Sequence, residues 1–218
     1  MLAAAAFAGC GADAGGAQPP GARTLTVYAS LPLSGPHGRT GRDVLDAMKL
    51  ALAEAQGRAG PFRMELLAFD DADPATGAPD DDRVLGNARA AVADRDAVAL
   101  IGGLNSGAVA LALPLLNEGG LLHVAPTAGY PGLTRRVPGG RGEPASFYPS
   151  GLRTFGRLVP HGGVQAAAQA GWLARRGVRR LHVAHDGGLA GRTLAELVAR
   201  AAAGRGIRIA AAERAEAA

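Results

Sequence analysis

The sequence predicts an α/β fold of parallel, doubly wound sheets arranged in two lobes, the second of them incomplete. Three observations predict it. Strand-like and helix-like segments alternate along the chain, which calls for right-handed crossovers with helices on both faces of a parallel sheet. The strand-like runs end in short loops of small or polar residues, and ligands gather beyond the carboxyl ends of such strands. Finally, the Gly/Pro-rich segment Pro138-Gly139-Gly140-Arg141-Gly142-Glu143-Pro144 has the composition of a domain linker. Charge changes there too: residues 24–134 hold eight basic and thirteen acidic side chains, residues 135–218 fourteen and five. The expected organisation is a leader and flexible linker over 1–23, a first lobe over 24–137, a linker over 138–145 and a partial second lobe over 146–218.

Element by element, residues 24–31 read as a strand, followed by a loop of structure-breaking residues from Pro32 to Gly38. Val44, Leu45, Met48, Ala51, Leu52 and Ala55 recur at helical spacing, with Arg42, Asp46, Lys49 and Glu54 between them. Residues 62–69 form a second strand with the polar exit Asp70-Asp71-Ala72-Asp73-Pro74. A helix over about 80–94 opens on three aspartates, which suit the positive end of a helix dipole. Strands over 97–101 and 121–125 flank another helix. In the second lobe, 146–154 reads as extended, 163–176 and 189–203 as helices, and 180–185 and 207–211 as strands. Two strands and an extended piece give the helices too little to pack against, so a truncated second lobe is expected.

Composition removes several function classes. Lys49 is the only lysine among 23 basic residues, and aromatics make up 4%, so the stacking platforms needed for single-stranded nucleic acid are missing and no nucleic-acid partner is expected. His182 and His185 lie three apart on a strand and face opposite ways, which bars a shared metal. The Asp70, Asp71, Asp73 group reads as a solvated, helix-capping loop. Gly102-Gly103-Leu104-Asn105-Ser106-Gly107 follows a strand and opens a helix, yet Ala108 and Val109 stand where a P-loop needs Lys and Ser/Thr. No nucleophile, base and orienting group occur together, so neither an enzyme nor a cofactor is expected. Trp172 and Leu173, in an Ala-rich helix, read as core.

What remains is a binding site for a small anion. The loops after the strands at 97–101 and 121–125 are rich in small residues that let backbone N–H groups approach a ligand, and the hydroxyls of Ser106 and Thr127 can also donate. Ser106 reads either as a carboxylate donor or as a helix N-cap, and the two roles are compatible.

At the amino terminus a short apolar run ends in Ala8-Gly9-Cys10, and a Gly/Ala/Pro-rich tract follows. This resembles a bacterial lipoprotein signal, with Cys10 as the lipid attachment site. The run is short and no cationic residue precedes it. As the only cysteine, Cys10 excludes an internal disulfide.

The order of motifs resembles the type I periplasmic solute-binding proteins, in the leucine-binding branch that serves branched-chain amino acid ABC transporters. The matching residues are Leu33-Ser34-Gly35-Pro36, Asp70-Asp71-Ala72-Asp73-Pro74, Gly102 to Ser106, Pro126-Thr127-Ala128 and His185-Asp186. The resemblance implies two lobes closing over an amino-acid-like ligand, an ABC permease as partner and a lipid-anchored, extracytoplasmic location. It places Ser106, Asn105 and Ser34, with the N–H groups of Thr127, Ala128 and Gly129, at the ligand. A ligand-sensing receptor of the same fold, or a fragment that does not bind, would carry the same motifs. The family's covering aromatics are missing near Thr40 and Ala190.

Overall fold

In the computed structural model, residues 23–137, 140 and 142–215 are described; Cys10 lies outside them. A six-stranded sheet is built from β1 (Thr24–Leu31), β2 (Arg58–Ala59), β3 (Phe62–Asp70), β4 (Ala97–Gly102), β5 (Leu122–Ala125) and β6 (Phe155–Arg157), in the order β2-β3-β1-β4-β5-β6. All pairings are parallel except the short β2–β3 hairpin. The chain leaves β1 in one direction, to β3, and later fills the other side with β4, so the order reverses at β1. That is where the loops at the carboxyl ends of the strands part and leave a crevice.

Period-two alternation on β1 divides the core between the two faces. Tyr28 joins Leu100 on the face covered by α2 (Asp81–Ala93) and α3 (Ser106–Glu118), against Val84, Ala88, Ala112 and Leu116. Ala29 and Leu31 point the other way, to Leu45 and Met48 of α1 (Gly38–Glu54). A further stripe of α3, Val109 and Leu113, packs on Ala125, Tyr130, Leu133 and Tyr148. Asn117 pins the far end of this helix: its amide donates to the Leu152 carbonyl (2.8 Å) and Thr154 Oγ1 (2.9 Å) and accepts from the Ser150 N–H (3.0 Å) and hydroxyl (2.9 Å). All four of its hydrogen-bonding positions are used inside the protein.

The second unit has two parallel strands, β7 (Arg180–His185) and β8 (Arg208–Arg214), with α4 (Gly162–Arg175) and α5 (Leu189–Ala203). Ala170, Ala202 and Ile207 form its small core, with Leu173 beside them. Three expectations change. Residues 146–154 are not the opening strand of this unit: they run from the end of a short 3-10 helix (Ala145–Phe147) through turns and bends, and β6 immediately after them pairs with β5 and closes the edge of the first sheet. The passage between units therefore falls after Arg157 instead of at 138–145. Trp172 is 52% exposed, with the Arg176 guanidinium over its ring at 5.3 Å, and does not belong to the core. Asp71, read as solvated, is 2% exposed.

Candidate functional site

The loops that leave β1, β3, β4 and β5 surround a cavity of about 400 Å³, lined by Pro32, Thr40, Asp71, Leu104, Asn105 and Thr127, with Asp186 reaching in from the second unit. A neighbouring cavity of about 410 Å³ shares Ala78, Pro79, Asn105 and Asp186 with it and continues along Ser106, Gly107 and the 188–191 turn. Together they form a cleft between the two units at the reversal point of the sheet. Larger hollows, about 560 and 550 Å³, lie beside Glu143 and away from the strand ends.

Local sequence explains the walls. Gly102 lets β4 run against β1: a Cβ there would stand 2.1 Å from the Ser30 carbonyl oxygen, which also accepts from the Gly103 N–H at 3.0 Å. Asn105, not Ser106, caps α3, its side chain accepting from the Ala108 N–H at 2.8 Å. Ser106 is therefore the first helical residue, 1% exposed, and its Oγ accepts from the Tyr130 N–H at 3.1 Å. Its own proton is left for a further acceptor. The N–H groups of Ser106 and Gly107, in the first turn of α3, have no intrahelical partner. Thr127 is exposed, and its hydroxyl donates to the Leu104 carbonyl, tying the loop after β5 to the loop after β4.

The rest of that loop is held from behind. Ala128 is fully buried, and its carbonyl accepts from Arg157 Nη1 at 3.0 Å. The Gly129 carbonyl accepts from the Gly162 N–H at 2.7 Å. The N–H groups of Thr127, Ala128 and Gly129 make no hydrogen bond among the described residues. Thus Asn105, Ser106, Thr127, Ala128 and Gly129 come together on adjacent loops. Ser34 does not join them: it is absent from the cavity wall, and its buried Oγ lies against the Asp70 carboxyl without a hydrogen bond of good geometry.

Beneath the cleft, the Ser30 hydroxyl donates to Asp71 Oδ2 (3.3 Å) and accepts from Asn87 Nδ2 (3.1 Å). Burial pushes the Asp71 carboxyl up to about 6, against the pull of the Ser30 hydrogen bond. On Asp70 burial is outweighed by donors of the Leu33–Ser34 turn and the Ala72 N–H, which hold it below the usual range. His123 on β5 is 1% exposed. Burial lowers it to about 4, so it is neutral at pH 7, with Nε2 3.3 Å from the Gly102 carbonyl. Sequence reasoning missed Arg157, Gly162 and the burial of Asp71, since none belongs to a local motif. Among the described residues no three His, Cys, Asp or Glu side chains are grouped to hold a metal, and no helix is long and apolar enough to cross a membrane.

The family model described as periplasmic binding protein matches residues 24–218. The chain belongs to the periplasmic binding protein family. No curated protein matches it. Among solved structures, this periplasmic binding protein is similar to a solute-binding protein of an ABC transporter from Rhodopseudomonas palustris BisB5, in complex with 3,4-dihydroxybenzoic acid (TM-score 0.72, 16% identity, covering 88% of this chain and 47% of that one). It is similar also to an ABC transporter substrate-binding protein from Desulfitobacterium hafniense in complex with Leu (0.68, 21%, 90% and 52%). A leucine-binding protein from Thermotoga maritima is a third (0.69, 19%, 87% and 48%). The chain spans about half the length of these structures.

Proposed function

We propose that this chain is an extracytoplasmic solute-binding protein that captures a small, amino-acid-like carboxylate for the permease of an ABC importer, tethered to the membrane through Cys10. The observation that carries the reading is the pairing of two strand-end loops at the sheet's reversal point, with unspent N–H donors on both and family membership behind them. Several donors acting on one charged group, each worth ~1.5 to 3 kcal/mol, fix the orientation of a carboxylate. The partial positive charge at the start of α3 adds to them. Asp186 stands across the cleft on the second unit. A ligand touching both units favours the closed arrangement by its differential affinity, and this drives hinge closure.

Calorimetry against a panel of amino acids, 4-hydroxybenzoate and 3,4-dihydroxybenzoate tests the proposal. A Cβ on Gly129 would meet only the Gly162 nitrogen, at 3.9 Å, so the backbone has room for the first side-chain atom of Gly129→Asp, whose carboxylate repels an anion at the loop. The expected result is heat from at least one carboxylate with the unmodified chain and none with the variant, at an unchanged melting temperature. Silence across the whole panel overturns the proposal.

A further inference from the structure

We propose that Arg157 is the positioning residue of the binding loop: its guanidinium fork sets the conformation in which residues 127–129 offer their N–H groups to a ligand. Nη1 donates to the carbonyls of Ala128 (3.0 Å) and Tyr130 (2.8 Å), and Nη2 donates to Thr134 Oγ1 (2.7 Å). One rigid, planar group thus binds three points spread over seven residues, which a single ammonium cannot reproduce. The carbonyl between them, on Gly129, turns instead to the Gly162 N–H at 2.7 Å. Successive carbonyls are held in different directions, and the intervening N–H groups are fixed with them.

The guanidinium is half-buried and stacks over Phe155 at 5.5 Å. Among the described residues no carboxylate lies within ion-pair distance of it. Its acceptors are all neutral, so its positive charge is left uncompensated behind a loop whose front presents donors. An anion in front of the loop gains from both. The ligand half of this assignment rests on the function proposed above; the loop half does not.

The two halves are read separately. Amide exchange followed by NMR reports the loop through the N–H groups of Tyr130 and Gly162, which bond to Ser106 and Gly129 respectively, with Leu113 in the α3 core as control. Arg157→Met is expected to speed exchange at both reporters by about tenfold or more and to leave Leu113 within about twofold. Arg157→Lys, which keeps the charge but not the fork, should fall between. Calorimetry with L-leucine and with 4-hydroxybenzoate gives the second readout: whichever probe the unmodified chain binds should lose about tenfold in affinity with Arg157→Met and recover part of it with Arg157→Lys. Unchanged exchange at the reporters overturns the assignment, as does equal acceleration at Leu113 or faster exchange with undiminished affinity. Failure of the unmodified chain to bind either probe counts against the proposed function, and the exchange rates still decide the role of Arg157.

Discussion

Replacing Asp71 by Asn should make stability fall more steeply in mild acid. The carboxyl of Asp71 ionises at about 6 in the folded chain, against an ordinary 3.8. Between those values the folded state holds a proton that the unfolded state has released, so stability is fully present below 3.8 and falls as pH rises, by about 3 kcal/mol in all. His123 works in the opposite sense. It protonates at about 4 when folded and 6.5 when unfolded, so its contribution is intact above 6.5 and is lost as pH falls towards 4, again by about 3 kcal/mol. Both side chains are almost completely buried, which leaves little solvent screening to reduce either figure. In the unmodified protein the two slopes oppose each other. Asp71→Asn keeps an oxygen for the Ser30 hydroxyl and leaves the His123 slope uncovered; His123→Gln leaves the Asp71 slope. Urea unfolding followed by circular dichroism at pH steps from 4 to 7 measures both. Asp70, Asp73 and Asp94, all held below the ordinary value, contribute equally to every variant and cancel in the differences. Stability of Asp71→Asn should climb with pH relative to the unmodified chain, and that of His123→Gln should fall. Parallel curves for the unmodified chain and Asp71→Asn would refute the linkage argument.

Asn105→Ala removes the cap of α3 and should cost about 1 kcal/mol, seen as a lower thermal midpoint, with Asn105→Asp retaining most of it. Asn117→Leu deletes four hydrogen bonds and leaves the Leu152 carbonyl and Thr154 hydroxyl without their partner; a loss of about 3 kcal/mol or more is expected in urea unfolding. Gly102→Ala puts a methyl 2.1 Å from the Ser30 oxygen and should prevent β1 and β4 from meeting at the cleft, measured as lost soluble yield or a midpoint lowered well beyond that of Asn105→Ala.

Most of the longer elements of both units could be read from the chain because their signals are local. β1, β7 and α5 occupy the expected residues, since alternation or helical spacing covers each of them from end to end. β6 was not legible: Phe155-Gly156-Arg157 is too short to show a period, and the longer stretch before it looked more extended than it is. The two-residue β2 is equally silent in the sequence. Trp172 shows that an apolar type in an Ala-rich helix does not fix which face it occupies. At the site, the loops carrying Asn105, Ser106 and Thr127 declared themselves through small residues at strand ends. Arg157 did not, because its three acceptors lie 23 to 29 residues away and only the fold brings them together. Asp71 accepts from the Ser30 hydroxyl, 41 residues away, which in turn accepts from Asn87 of α2; no local pattern separates it from the less buried Asp73 two positions on.

The span from Leu158 to Gly162 is fastened at both ends to a single loop: the Leu158 amide to the Ala125 carbonyl at 3.1 Å and the Gly162 amide to that of Gly129 at 2.7 Å. Gly162 is also the first residue of α4. Torque applied to the smaller unit therefore reaches the Ala125–Gly129 stretch through two amides, alongside the packing of Leu189 of α5 against the cluster around Val109 and Leu113. The shape of the grip and the pose of its neighbour behave as one mechanical coordinate.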